Sequence, residues 1–184
     1  MPEIRLSMPP EFAGCDIVAR AASGPLAAQR TALTALIEAA GWDAPTKEET
    51  GRPRLGEDHC SLSHGGGWVV AARSGRPVGV DVERAAERMQ RVRRRFVGPA
   101  DQPVLDAFGD NLDTLCRLWT AKEAVYKVFG TAVDFLRGIE WQHVNAEGAR
   151  LIALQHRAQV DLHWKRLGNT ANGIWLAAAV VQTD

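Results

Sequence analysis

The sequence has no surplus of charge of either sign: 22 lysines and arginines stand against 22 aspartates and glutamates. A balanced chain has no bulk field to draw it to nucleic acid or to an anionic membrane, so any electrostatic recognition must be local. Cysteine is scarce as well. Cys15, Cys60 and Cys116 lie far apart with no C-x-x-C pair, a pattern that suits small core residues or free thiols in a reducing cytoplasm better than a disulfide framework. Long apolar runs are missing too. The longest, Ile174 to Val181, is far too short to cross a bilayer, and the first residues show no basic stretch followed by an apolar block. These absences predict a soluble cytoplasmic protein with neither nucleic acid nor membrane as partner. Its 184 residues, 46% of them hydrophobic, are enough to close a core in one domain or in two small packed halves.

The pattern of elements predicts an α+β fold. Ile4 to Met8 alternates apolar and polar residues up to the Pro9-Pro10 stop, as an edge or half-buried strand does. Ser23-Gly24-Pro25 then opens a helix with Leu26, Leu33, Leu36 and Ile37 on one face and Gly41 at its end. Residues 42–58, rich in Pro, Gly and charge, read as a loop or the seam between halves. Trp68 to Arg73 and Val78 to Val82 flank a Ser74-Gly-Arg-Pro77 turn and are expected to form a β-hairpin. Helices are expected over about 85–96 and 112–129. Four strands near 139–144, 150–155, 159–166 and 174–181 then form a meander. Strands, then helices, then strands argue for α+β and against a doubly wound parallel sheet.

Chemistry concentrates in three short segments. In Gly79-Val80-Asp81-Val82-Glu83 the period of a strand aims Asp81 and Glu83 at one face and the valines at the other. In Trp119-Thr-Ala-Lys122-Glu123-Ala-Val-Tyr126-Lys127 the helical spacing stacks Trp119, Glu123 and Lys127, with Lys122 and Tyr126 beside them. Each segment alone is equally well an ordinary charged strand edge or a solvated Glu-Lys pair. Together they supply three carboxylates, the oxygen ligands that a hard cation such as magnesium takes alongside water and substrate phosphate. The third segment, Ser61-Leu-Ser63-His64-Gly65-Gly66-Gly67-Trp68, sets hydroxyls, an imidazole and unhindered backbone N–H groups at a turn, where an anion can be held or where glycine serves only the turn.

In order and separation these blocks resemble the Sfp-type 4'-phosphopantetheinyl transferases. That family's pattern runs S-H, G-(I/V)-D-(I/V)-E and W-x-x-K-E-(A/S)-x-x-K. Gly51-Arg52-Pro53 is similar to the family's G-(K/R)-P element, and Arg94-Arg95-Phe96 followed by Asp101 resembles its R-F-F-x-x-x-E connector with Asp for Glu. The resemblance implies a fold of two similar α/β halves. The N-terminal half, residues 1–57, would be shortened, and the C-terminal half, residues 58–184, would carry the motifs. It implies that Asp81, Glu83 and Glu123 hold magnesium and that Arg52, Ser63 and His64 contact the coenzyme A phosphates. It also places Lys127 at the pyrophosphate, and makes Glu123, Lys127 and His64 the catalytic groups. The implied reaction moves the phosphopantetheine arm of coenzyme A onto a serine of an apo carrier protein and releases 3',5'-ADP. Groups for the 3'-phosphate are not placed by the motifs; Arg30, Lys47 and Arg54 qualify by charge. Gly65 stands where the family often has serine, which predicts one looser phosphate contact, and Ala132 replaces the second glycine of a G-x-G element.

Between residues 84 and 95 lie Arg84, Arg88, Arg91, Arg93, Arg94 and Arg95 against a single acid, Glu87. Such a stripe serves equally as a solvated helical face or as a docking surface, near Arg84, Arg88 and Arg91, for the acidic carriers that the resemblance implies. Two other functions stay open at this point: a non-catalytic coenzyme A or carrier-binding homologue, and a different metal-dependent phosphoryl-transfer enzyme.

Overall fold

A computed structural model of the chain describes residues 3–130, 133–168 and 173–182. Ala132 lies outside the described residues. The chain forms two antiparallel sheets that pack face to face, each covered on its outer side by a helix.

The first sheet comprises β1 (Ile4–Arg5), β2 (Cys15–Ala21), β3 (Thr46–Lys47), β4 (Pro53–Leu55), β5 (Asp58–Gly65) and β6 (Trp68–Ser74), in the spatial order β1-β2-β6-β5-β4-β3. Strand β2 lies outside the expected elements. It is buried on both faces, with Ile17, Val18 and Ala19 all inaccessible, so it lacks the alternation that marks a half-exposed strand. Helix α1 (Leu26–Ala39) follows and packs Leu36 and Ile37 against Val18, Val69 and Ala71.

The second sheet comprises β7 (Val78–Arg84), β8 (Ile139–Val144), β9 (Gly148–Ala153), β10 (Ala158–Leu167) and β11 (Ile174–Val181), in the order β7-β11-β10-β9-β8. The expected meander is thus present. The expected hairpin of residues 68–82 is not: β6 pairs with β2 and β5, whereas β7 pairs with β11 in the other sheet. The turn at residues 74–77 does reverse the chain, but it carries it from one sheet into the next. The break between sheets therefore falls between Ser74 and Val78, and the seam expected at 57/58 lies in the β4–β5 turn, inside the first sheet.

The helical stretch expected over 85–96 is one short helix, α2 (Arg88–Val92), and a 3-10 turn (Arg93–Arg95). After α3 (Gln102–Phe108) comes α4 (Leu112–Phe129), the helix expected at 112–129. Asn111 caps its start, the side chain accepting the Thr114 N–H at 3.0 Å, and Gly130 ends it at φ 71°. Between the sheets, Ile17, Ala19, Val70 and Ala72 meet Val80, Val82, Leu176, Ala178 and Val180. On the far side of the second sheet, Leu115, Leu118, Ala121, Ala124 and Val125 of α4 lie on Ala177, Ala179, Leu151 and Leu162. The layers are helix, sheet, sheet, helix. No helix among the described residues is long and apolar enough to cross a membrane.

Candidate active site

Gly79 sets the distance between α4 and β7. A Cβ built on it would lie 1.9 Å from the Ala124 carbonyl oxygen, so the helix rests directly on the strand's backbone. The same strand face carries Asp81 and Glu83, and α4 lays Cys116 beside Glu83 and Lys127 beside Asp81. Lys127 Nζ donates to Asp81 Oδ1 at 2.8 Å and to the Val80 carbonyl at 3.0 Å. Glu123 is half-buried next to this pair. Burial, and then the negative charge of Asp81, push its pKa above the usual carboxylate range, with Lys127 pulling the other way. Asp81, Glu123 and Lys127 are therefore one electrostatic unit.

Glu83 faces the same helix but points its charge elsewhere. Its Oε1 accepts the Arg84 N–H at 2.9 Å and its Oε2 accepts from the Arg88 guanidinium. Among the described residues no three His, Cys, Asp or Glu side chains are drawn together as a metal-binding group. Asp81 and Glu83 lie along the part of α4 that carries Cys116. The charges of Glu83 and Asp81 both act on Cys116, whose thiol pKa is driven up by burial first and by these two acids next. As a donor set, three carboxylates offer the oxygen ligands that a hard divalent cation takes. Lys127 and Arg88 now neutralise two of them.

Beside Lys127 opens a cleft of about 370 Å³ lined by Lys47, Arg52, Pro53, Ser61, Leu62, Tyr126 and Gly130. Arg52 is fixed there by the carboxyl end of α4: its Nη2 donates to the Val128 carbonyl at 2.5 Å, and its side chain packs over Gly130. Three cations, Lys47, Arg52 and Lys127, face one space. Of the other basic candidates, Arg54 is engaged by His59, Glu57 and Glu48, and Arg30 is exposed on α1 and does not line the cleft.

The hydroxyls of the third segment are turned toward strand β7. Ser61 Oγ accepts the Val80 N–H at 3.0 Å, and Ser63 Oγ accepts the Val82 N–H at 3.3 Å while donating to Asp81 at 2.8 Å. Strand β7 has β11 on one side, and on the other its N–H groups are met by these two hydroxyls. The serines thus join the sheets and orient Asp81. Gly65 is required by the same close approach, since a Cβ there would sit 2.2 Å from the Val82 carbonyl oxygen. His64 is exposed opposite Val69 and makes no hydrogen bond to these groups among the described residues.

Lys122 proves to be an anchor. It is 1% exposed, and its Nζ donates to Phe96 O at 2.7 Å, to Asp101 Oδ2 at 2.7 Å and to Phe135 O. Burial lowers its pKa and Asp101 opposes the shift. Asp101, fully buried, also accepts from Trp141 Nε1 at 2.9 Å and Gly98 N at 2.8 Å. The network ties the segments on either side of α4 to the helix, and Trp119 packs edge-on against Phe96 and Phe135 within it. The sequence placed Lys122 near the site, and its partnership with Asp101 was not visible there.

In the arginine stripe, Arg84 donates to the Gly66 carbonyl at 2.8 Å, Arg88 holds Glu83, and Arg93 pairs with Asp110 at 2.7 Å. Arg91, Arg94 and Arg95 are exposed and have no ion-pair partner among the described residues. An apolar groove of about 280 Å³, lined by Met89, Val92 and Trp119 with Glu83 and Arg88, runs beside them.

The sequence profile described as the 4'-phosphopantetheinyl transferase superfamily matches residues 77–180, which span the second sheet and its helices. The Gly51-Arg52-Pro53 and Ser63-His64 segments lie outside that match. Among curated proteins, the 4'-phosphopantetheinyl transferase gsp of Aneurinibacillus migulanus is 34% identical over 87 residues, 46% of this chain and 37% of the relative. A 4'-phosphopantetheinyl transferase of Bacillus subtilis is 31% identical over 84 residues, 45% of this chain and 38% of the relative. The transferase psf-1 of Bacillus pumilus is 30% identical over 93 residues, 48% and 40% of the two chains. These matches span well under half of the relatives' own length. The family profile covers more than half of this chain, along the strand and helix that carry Asp81, Glu83, Glu123 and Lys127, and the chain belongs to the 4'-phosphopantetheinyl transferase superfamily.

Proposed function

We propose that the chain is a phosphopantetheinyl transferase that moves the 4'-phosphopantetheine arm of coenzyme A onto a serine of an apo carrier protein, in the cytoplasm. The observation that carries this is the double engagement of Lys127, which holds Asp81 in the acidic unit and also lines the cleft with Arg52 and Lys47. A coenzyme A diphosphate in that cleft lies between cations on one side and carboxylates on the other. Asp81, Glu83 and Glu123 would hold magnesium. The ion would supply neutralisation of charge on the diphosphate oxygens.

The protein's own residues perform the remaining work. Arg52 and Lys47 bind phosphate oxygens, and Lys127 stabilises negative charge as it develops on the leaving phosphate. The carrier serine oxygen forms a bond to the phosphorus bearing pantetheine, and the bond from that phosphorus to the bridging oxygen breaks to release 3',5'-ADP. The serine proton passes to Glu123, directly or through a water. Ser63, bonded to Asp81 and to the Val82 N–H, holds the acid in place.

The acidic carrier would dock across Arg91, Arg94 and Arg95 and the Met89–Val92–Trp119 groove. Of the three arginines the sequence favoured, Arg84 and Arg88 are engaged within the protein and Arg91 remains outward. The two sheets, each with an outer helix, support an architecture of two α/β halves that meet between Ser74 and Val78. The test is incubation with coenzyme A, magnesium and a panel of apo carrier proteins, read by intact mass. Gain of one phosphopantetheine on a carrier is expected, and no gain on any carrier, with folded protein, contradicts the proposal.

A further inference from the structure

The inner face of the second sheet carries an ionisable ring that the proposed reaction does not use. His163 lies on β10 opposite Ala178 of the inter-sheet core, is 8% exposed and makes no hydrogen bond among the described residues. It is covered by Phe12, which is set edge-on to it with ring centroids 6.3 Å apart and is itself buried. Phe12 ends the 3-10 turn Pro10–Phe12, in the segment that joins β1 to β2. Arg76, from the turn between the sheets, holds that segment by donating to the Glu11 and Ala13 carbonyls at 2.8 and 3.1 Å. Between segment and sheet, beside His163, lies a cavity of about 240 Å³.

We propose that His163 is an acid-sensitive latch: the neutral ring seats Phe12 and keeps the segment from Pro9 to Ala13 down on the second sheet, and a proton on the ring releases it. A charged imidazole buried against a phenyl ring has lost its water and gained no acceptor in return. The surrounding charges do not make up the difference. On β10, Asp161 is taken by Arg150 of β9 at 3.1 Å, and Lys165 repels a positive ring. Glu147 of the β8–β9 turn and Glu11 of the segment attract it, but both are exposed to water, as is His143 of β8. Burial first, and Lys165 next, therefore hold the ring's pKa below its usual range. Above about pH 6.5 the ring is neutral whether the segment is closed or open, and the latch stays shut. Below that value an uncovered ring takes a proton that the covered one refuses, so opening gains roughly tenfold per pH unit until the covered ring itself titrates.

The experiment is amide hydrogen exchange read by mass spectrometry between about pH 5 and 7.5, corrected for the intrinsic pH dependence of exchange. The Phe12 and Ala13 N–H groups, bonded to the Pro9 and Pro10 carbonyls, report on the segment, and α4 reports on global unfolding. In the unmodified chain and in His143→Gln, protection of the segment is expected to fall roughly tenfold per pH unit below about 6.5 while α4 changes little. In His163→Gln and His163→Phe, which cannot take the proton, the segment's protection is expected to be flat with pH. Flat protection in the unmodified chain, the same fall in either His163 variant, or a fall in α4 in step with the segment would overturn the latch.

Discussion

Replacing Lys122 by methionine would leave a negative charge with no water and one fewer partner. Asp101 is fully buried and Lys122 nearly so, and removing one member of a buried pair costs about 3–5 kcal/mol because the other charge is stranded. Methionine matches much of the lysine stem, so loss of packing adds little. Asp101 would keep Trp141 Nε1 and Gly98 N, which places the expected loss toward the lower end of that range. The carbonyls of Phe96 and Phe135 would lose a donor as well, which raises it again. In a chain of this size such a loss lowers Tm by about 6–20 °C. Urea unfolding followed by tryptophan fluorescence measures it. Adding Asp101→Asn should recover a large part, since the amide removes the stranded charge and its oxygen can still accept from Trp141. A loss below about 1 kcal/mol for Lys122→Met, or a double variant whose losses merely add, would refute the buried-pair account.

Gly79→Ala should be among the most damaging single changes, because its methyl would meet the Ala124 carbonyl at 1.9 Å and force α4 off β7; failure to accumulate folded protein, or a large drop in unfolding midpoint, is expected by circular dichroism. Burial holds the Cys60 thiol up at about 12 and Cys116 still higher, so both remain protonated at pH 8. Ellman titration of the native chain should find Cys15 alone reactive, and all three thiols after unfolding. Glu123→Gln should unfold at the same midpoint as the unmodified chain yet nearly abolish transfer, and full activity would reject Glu123 as the proton acceptor.

Legibility in the sequence followed how local each signal is. Helix α4, expected over about 112–129, was legible because its signals lie within its own stretch, between the Asn111 cap and Gly130. The aim of Asp81 and Glu83 at one face followed from strand period alone. Strand β2 escaped because Ile17 and Val18 are both buried and show no alternation. The turn at 74–77 announces a reversal but not which sheet receives the next strand, and the hairpin was misassigned for that reason. Ser61 and Ser63 meet partners 19 residues on, across the junction of two sheets, where no local pattern reaches. Glycine at position 65 read as a lost serine and is instead the only residue that clears the Val82 carbonyl.

The most direct measurement is a crystal structure with coenzyme A and manganese, using the anomalous signal of the ion. One manganese within about 2.0–2.5 Å of oxygens from Asp81, Glu83 and Glu123, with the diphosphate beside Lys127 and Arg52, is the expected result. A fully occupied diphosphate in that cleft with no ion touching these three acids would contradict it.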